Sequence, residues 1–120
     1  MASNTLDRAK YAVSIPGRAN IMFHNAKRRA NCTITREWIE NKLNLGVCEI
    51  TGISFDLEPT LEFDSNPYAP SLDKINPKQK EYTPENTRVV LTAVNKALNE
   101  YGEKAMLPIL KAMIKSIERN

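Results

Sequence analysis

Ser71-Leu72-Asp73-Lys74-Ile75, Tyr82-Thr83-Pro84-Glu85-Asn86 and Arg88-Val89-Val90-Leu91 follow one another in the second half of the chain, with Asn95 close behind. The spacing predicts a strand ending in a carboxylate, a turn pinned by an asparagine, a short β-branched strand, and a helix opening with a second asparagine. Thr83 supplies a hydroxyl acceptor for the turn, and Pro84 stands where no N–H is needed. Asp73 and Asn95 are thereby placed where both side chains can converge on one metal ion.

That pairing bears on a definite chemistry. Hydrolysis of a phosphodiester needs charge relief on the phosphate, an activated water and protection for the leaving oxygen. One divalent ion held by an aspartate and an asparagine serves the first and third needs. The neutral asparagine keeps the site from becoming too anionic to accept a phosphate. Magnesium takes oxygen ligands and keeps several waters, so two protein ligands suffice. Water activation calls for a base beside the metal ligand, a role that histidine suits. Here the neighbour is Lys74, which would act as a base only if its pKa fell by roughly three units from about 10.4. As a cation it would bind phosphate instead. The same residues have plainer readings: Asp73 paired with Lys74 or Arg88, and Asn95 bonded to its own backbone.

Working outward, the chain has 120 residues, 42% hydrophobic and 26% charged, with four glycines. This suits one folded domain with a modest core. No stretch reaches the roughly 18 apolar residues of a membrane span. The opening MASNTLDRAK has no apolar run behind its charges, so no secretory leader is expected and a cytoplasmic location is. Cys32 and Cys48 are read as reduced thiols. His24 is the only histidine, which argues against a four-ligand zinc site.

The net charge of +3 hides a pattern. Residues 1–42 carry eight basic and three acidic residues, 43–70 carry five acidic and none basic, and 71–120 carry nine basic and six acidic. The two basic flanks suit nucleic acid if the fold puts them on one face; the alternative is an ordinary solvated surface.

Residues 1–16 read as an extended lead punctuated by Pro16-Gly17. A helix is expected from about Arg18 to Ala30, with Lys27-Arg28-Arg29 at its C-terminal end, the densest basic patch of the chain. A short strand from Thr33 leads into a helix capped by Thr35, striped by Trp38, Ile39 and Leu43 and closed by Gly46. Cys48 and Gly52 bound a tight turn between two short strands. Residues 56–70, with three of the seven prolines, read as a loop needing a partner element for order. Thr92 is expected to cap a helix from Ala93 to about Tyr101, stopped by Gly102. A last helix spans about Glu103 to Ile117, and its stripe from Met106 to Ile117 reads first as core, second as a dimer surface.

In their order, Asn25-Ala26-Lys27-Arg28-Arg29-Ala30, Leu45-Gly46-Val47-Cys48-Glu49-Ile50-Thr51-Gly52-Ile53-Ser54-Phe55, Tyr68-Ala69-Pro70-Ser71-Leu72-Asp73-Lys74-Ile75 and Tyr82-Thr83-Pro84-Glu85-Asn86-Thr87-Arg88-Val89-Val90, with Asn95 behind, resemble the small phage-type HNH endonucleases of the His-Me finger group. The resemblance spans about residues 18–118. It implies an α+β fold with a ββα-metal core over 71–101, supported by 18–55 and flanked by N-terminal and C-terminal helices, the last over 103–118, all in one domain. It implies a magnesium- or manganese-dependent enzyme that nicks or cleaves DNA. On that pattern Asp73 and Asn95 ligate the metal, Asn86 stabilises the loop, and Lys74 stands where the catalytic histidine would be. Thr51 stands where many relatives have a zinc-binding cysteine, so the zinc site is incomplete and no zinc is expected.

Three readings follow. The first is a metal-dependent DNA endonuclease or nickase with an atypical base, His24 being one source of it. The second is a DNA-binding protein on the same fold, using Lys27, Arg28, Arg29, Lys78, Lys80 and Arg88 without efficient cleavage. The third is a protein-binding role for the acidic segment or the last helix. DNA is the expected partner, with RNA open, no membrane, and a monomer or homodimer.

Overall fold

The computed structural model describes residues 10–120. Its elements are α1 (Ile15–Arg29), α2 (Arg36–Leu45), β1 (Pro70–Lys74), β2 (Thr87–Leu91), α3 (Thr92–Leu98) and α4 (Gly102–Arg119), a mixed α+β arrangement. None of its helices is long and apolar enough to cross a membrane.

α1 starts three residues before the expected Arg18. Ser14 caps it by accepting from the Gly17 amide at 3.1 Å, and Pro16 lies in the first turn, where its missing N–H costs nothing. The Pro-Gly pair therefore opens the helix and does not break the chain before it. Residues 10–13 are also helical, which corrects the extended lead there; residues 1–9 lie outside the described residues. α2 is bounded as expected, by Thr35 accepting from the Trp38 amide at 3.0 Å and by Gly46 at φ +79°. The strand expected from Thr33 shrinks to a single bridge between Cys32 and Tyr82.

β1 and β2 pair antiparallel in the register Ser71↔Val90, Leu72↔Val89, Asp73↔Arg88. Because side chains alternate along a strand, Leu72 and Val89 share one face while Ser71, Asp73, Arg88 and Val90 share the other. Val89 joins Ala19, Met22 and Ala26 of α1 and Ile39 and Leu43 of α2 in the larger core, with Leu72 against it. Val90 joins Cys48 and Leu91, with Phe55 and Val94 packed on them. The hairpin is thus a wall between the two leading helices and α3.

Glu49 fastens the Cys48–Gly52 turn to this wall. Its amide donates to Val89 O at 3.1 Å, and its carboxylate accepts from the Val89 amide at 2.6 Å and from Lys42 Nζ at 2.8 Å. Both backbone groups of Val89, which face the open side of β2, are satisfied by this one residue. The two strands expected around the turn reduce to one bridge, Val47↔Ser54. The loop before β1 is tied within itself, Asn66 Nδ2 donating to Asp56 Oδ2 and to Glu58 O, both at 2.9 Å, and to α3, where the Ala93 amide donates to Pro67 O and Lys96 Nζ to Ser65 Oγ, both at 3.0 Å. The bond from Asn66, and after it the bond from the Glu58 amide to Oδ1 at 3.0 Å, hold the exposed Asp56 carboxyl below its ordinary pKa.

Three expectations about the last helices are overturned. Thr92 does not cap α3; its hydroxyl donates to Ala69 O at 2.9 Å, and the helix ends at Leu98, where Asn99 takes φ +46°. Gly102, at φ +81°, opens α4 instead of closing α3. The apolar stripe of α4 is not core: no residue of that helix is buried.

Candidate functional site

Asp73 ends the buried part of β1, only 5% exposed. Directly across the ladder, Arg88 donates from Nε to Asp73 Oδ2 at 2.7 Å and reaches Glu103 Oε1 at the start of α4 with Nη1 at 3.1 Å. One guanidinium therefore joins three elements and carries two carboxylates. Of the residues read as nucleic-acid contacts, Arg88 is committed to these ion pairs and is 15% exposed at its side chain.

Asn95 sits on α3 and reaches back to β1. Its Nδ2 donates to Ser71 Oγ at 2.7 Å and to Leu72 O at 3.0 Å, two residues and one residue before Asp73. This is neither a bond to its own helix backbone nor an idle surface group. Asn95 Oδ1 and Asp73 Oδ1 accept no hydrogen bond among the described residues. Among those residues the one sealed, unpartnered polar side-chain atom is Thr87 Oγ1, so both oxygens touch solvent. Two uncommitted oxygens beside one strand suit a hard divalent cation that keeps most of its waters. No group of three or more His, Cys, Asp or Glu side chains supplements them among the described residues.

Asn86 is buried and structural. Its Oδ1 accepts from the Asn76 amide at 2.8 Å, and its Nδ2 donates to Asn76 O at 3.3 Å. Its own amide donates to Thr83 O at 3.1 Å and to Thr83 Oγ1 at 3.2 Å. The side chain thus closes the long β1–β2 connection at both ends.

Lys74 follows Asp73 in sequence but faces the opposite side of the hairpin. Its Nζ lies 5.2 Å from the Tyr82 ring centroid and donates to Lys80 O at 3.4 Å. The Asp73–Lys74 neighbours are therefore split between two faces. His24 is exposed on α1 and rests against Phe23, with ring centroids 5.5 Å apart. Lys27, Arg28, Arg29, Lys78 and Lys80 are all exposed.

A polar cleft of about 150 Å³ runs between α1 and the outer edge of β1, lined by Arg18, Asn25 and Arg29 on one side and by Ser71 and Tyr82 on the other. Arg18 and Arg29 are eleven residues apart, three helical turns, and so share a face of α1. Burial pulls the Arg18 guanidinium below its ordinary pKa, yet arginine keeps its proton. Arg18 does not stand out in the sequence as a lining residue of this cleft because it lies outside the Lys27–Arg29 run; the eleven-residue spacing to Arg29 was the available signal. Glu103 was also missed. Only the register of the hairpin against α4 reveals it.

Cys48 and Cys32 are free thiols. Burial pushes the Cys48 thiol up, but hydrogen bonds outweigh this and leave it below its ordinary value, those from Thr51 largest, with the Thr51 amide 3.5 Å from Sγ. Thr51 thus serves the turn as a hydrogen-bond donor. Comparison of the chain with family models, curated proteins and solved structures finds no match.

Proposed function

We propose that the chain is a metal-dependent nuclease of the HNH kind, nicking or cutting DNA at the Asp73 face of its β-hairpin. The observation that carries this reading is the pair of uncommitted oxygens, Asp73 Oδ1 and Asn95 Oδ1, on a strand–strand–helix unit where Asn95 is tethered to β1 at 2.7 and 3.0 Å. Asp73 and Asn95 would hold a magnesium or manganese ion, which when bound supplies charge relief to the phosphate and to the leaving oxygen.

The remaining chemistry falls to the chain's own groups. A water must lose a proton as it adds to phosphorus, and the bond from phosphorus to the leaving oxygen must break. Lys74 faces away from this side, so its part is to support the loop. Glu103, exposed and joined through Arg88 to Asp73, is the carboxylate on this face available to accept the proton. Arg88 fixes Asp73 and holds positive charge beside it. Arg18 and Arg29, across the β1 edge, suit contact with the DNA backbone.

A second reading has its own observation. Lys74, at the position of the usual histidine, is engaged by Tyr82 and Lys80, which favours a DNA-binding protein without efficient cleavage. A supercoiled-plasmid nicking assay with Mg²⁺ or Mn²⁺ separates the two. The nuclease reading expects metal-dependent nicking that is lost in Asp73→Asn. Folded wild-type protein that nicks no faster than Asp73→Asn, yet retards DNA, establishes the second reading instead.

A further inference from the structure

α4 is an 18-residue helix, about 27 Å long at 1.5 Å per residue, in a molecule whose longest dimension is 54 Å. Leu107, Leu110, Ile114 and Ile117 recur at spacings of three, four and three, the pattern of a helix-pairing seam. Leu107 is 51% exposed, Ile114 53% and Ile117 67%. Only the first half of the helix meets the rest of the described molecule. There, Leu107 and Leu110 form one wall of an apolar cleft of about 620 Å³, whose other wall is Ile50 with Val94, Ala97 and Leu98 of α3 and its end. The second half, residues 111–120, is exposed throughout. An isolated helix of this length is marginal in water, so the seam needs a cover.

We infer that a second copy of this chain provides it, with the two α4 helices packed antiparallel so that the free half of each fills the α3–α4 cleft of the other. Each copy has what the other lacks, an empty apolar cleft at the start of α4 and an uncovered Ile114 and Ile117 at its end, which is the reciprocity a two-fold interface requires. The charges select the direction. Antiparallel packing sets Lys104, on the rim of the cleft, opposite Glu118 of the partner subunit, and does so twice. In that register Leu107 lies beside Ile114 of the partner subunit. Lys111 falls near the two-fold axis, where its long side chain can extend to solvent. The helix seam alone covers less than the roughly 800 Å² per partner of a standard interface, and the two filled clefts supply the rest. The pairing also gives one particle two Asp73 faces.

Sedimentation equilibrium on the full chain, with a charge-reversal series, tests this. Wild-type protein is expected at twice the 13.6 kDa chain mass. Lys104→Glu and Glu118→Lys should each weaken the dimer roughly tenfold, and the double variant should restore it, because the swapped pair is again opposite in sign. Both substitutions are at exposed positions, and the circular dichroism of all three variants should match wild type. A chain that stays monomeric at concentrations of order 100 micromolar overturns the inference. So does a dimer that the single reversals leave unchanged, or one that the double variant does not rescue. None of these outcomes depends on nuclease activity.

Discussion

Asp73 and Arg88 stand directly across the β1–β2 ladder, with Arg88 Nε 2.7 Å from Asp73 Oδ2. The pair is enclosed, with side chains 5% and 15% exposed, so it is weakly screened by solvent and salt. Removing one partner leaves the other desolvated and uncompensated, which is the costly way to break a buried pair.

Arg88→Gln should therefore destabilise the protein by about 3–5 kcal/mol. Asp73→Asn should cost less, about 1–3 kcal/mol, because Arg88 keeps Glu103 at 3.1 Å and the amide still accepts a hydrogen bond. A double-mutant cycle by urea denaturation should give a coupling of about 1–3 kcal/mol. A coupling near zero would mean that the ion pair does not persist in solution. The same melts establish that Asp73→Asn is folded under nicking-assay conditions.

The hairpin was legible in the sequence because its signals are local. Thr83 and Asn86 name a turn, and the β-branched run after it names a strand, so the observed ends differ by at most one residue. Thr35 and Gly46 bounded α2 for the same reason. Pro16 and Gly102 were misread because each residue has two opposite uses near a helix end: proline ends one helix and opens another, and a left-handed glycine stops one helix or precedes the next. The split of Asp73 from Lys74 was available in the two-residue period of any strand. The Arg88–Glu103 contact was not, since it depends on how α4 leaves α3. The stripe of α4 identified an amphipathic helix, but periodicity says nothing about which surface covers it.

The two faces of the hairpin separate the roles of Glu103 and Lys74. Glu103→Gln should slow nicking about 10²-fold or more if its carboxylate takes the proton from water. Lys74→Ala should change it by no more than about threefold, while lowering stability by about 0.5–1 kcal/mol through the lost contact with Tyr82. Single-turnover nicking at saturating metal measures both. The reverse ranking would give the chemistry to Lys74 and remove it from the Asp73 face.

Asn86 closes the connection between the strands with two side-chain bonds to the backbone of Asn76, at 2.8 and 3.3 Å. Asn86→Ala should cost about 1–3 kcal/mol, since two backbone groups lose their partner at a buried position. The Asn76 amide should lose protection in hydrogen exchange, while the Val90 amide in β2 should keep most of its own. Equal loss at both would show that Asn86 supports the whole hairpin and not its loop.

Arg18 and Arg29 line the cleft beside β1, whereas Lys78 and Lys80 project from the β1–β2 connection. If DNA lies along the cleft, each arginine neutralises a phosphate and releases its condensed counterions. The slope of log affinity against log salt then falls by about 0.9 for each contact removed. Arg18→Gln and Arg29→Gln should each reduce the slope by that amount, and together by about 1.8, if each touches one phosphate. Glutamine is the right replacement at Arg18, because the arginine donates from Nε to Ala12 O at 3.0 Å and alanine would remove that anchor as well as the charge. The loss should be the same for unrelated duplexes, since contacts to phosphate position a protein without reading bases. Fluorescence anisotropy with two duplexes across a salt series measures slope and sequence dependence together. Unchanged slopes for both arginines, with reduced slopes for Lys78→Gln and Lys80→Gln, would move the DNA from the α1 cleft to the far end of the hairpin.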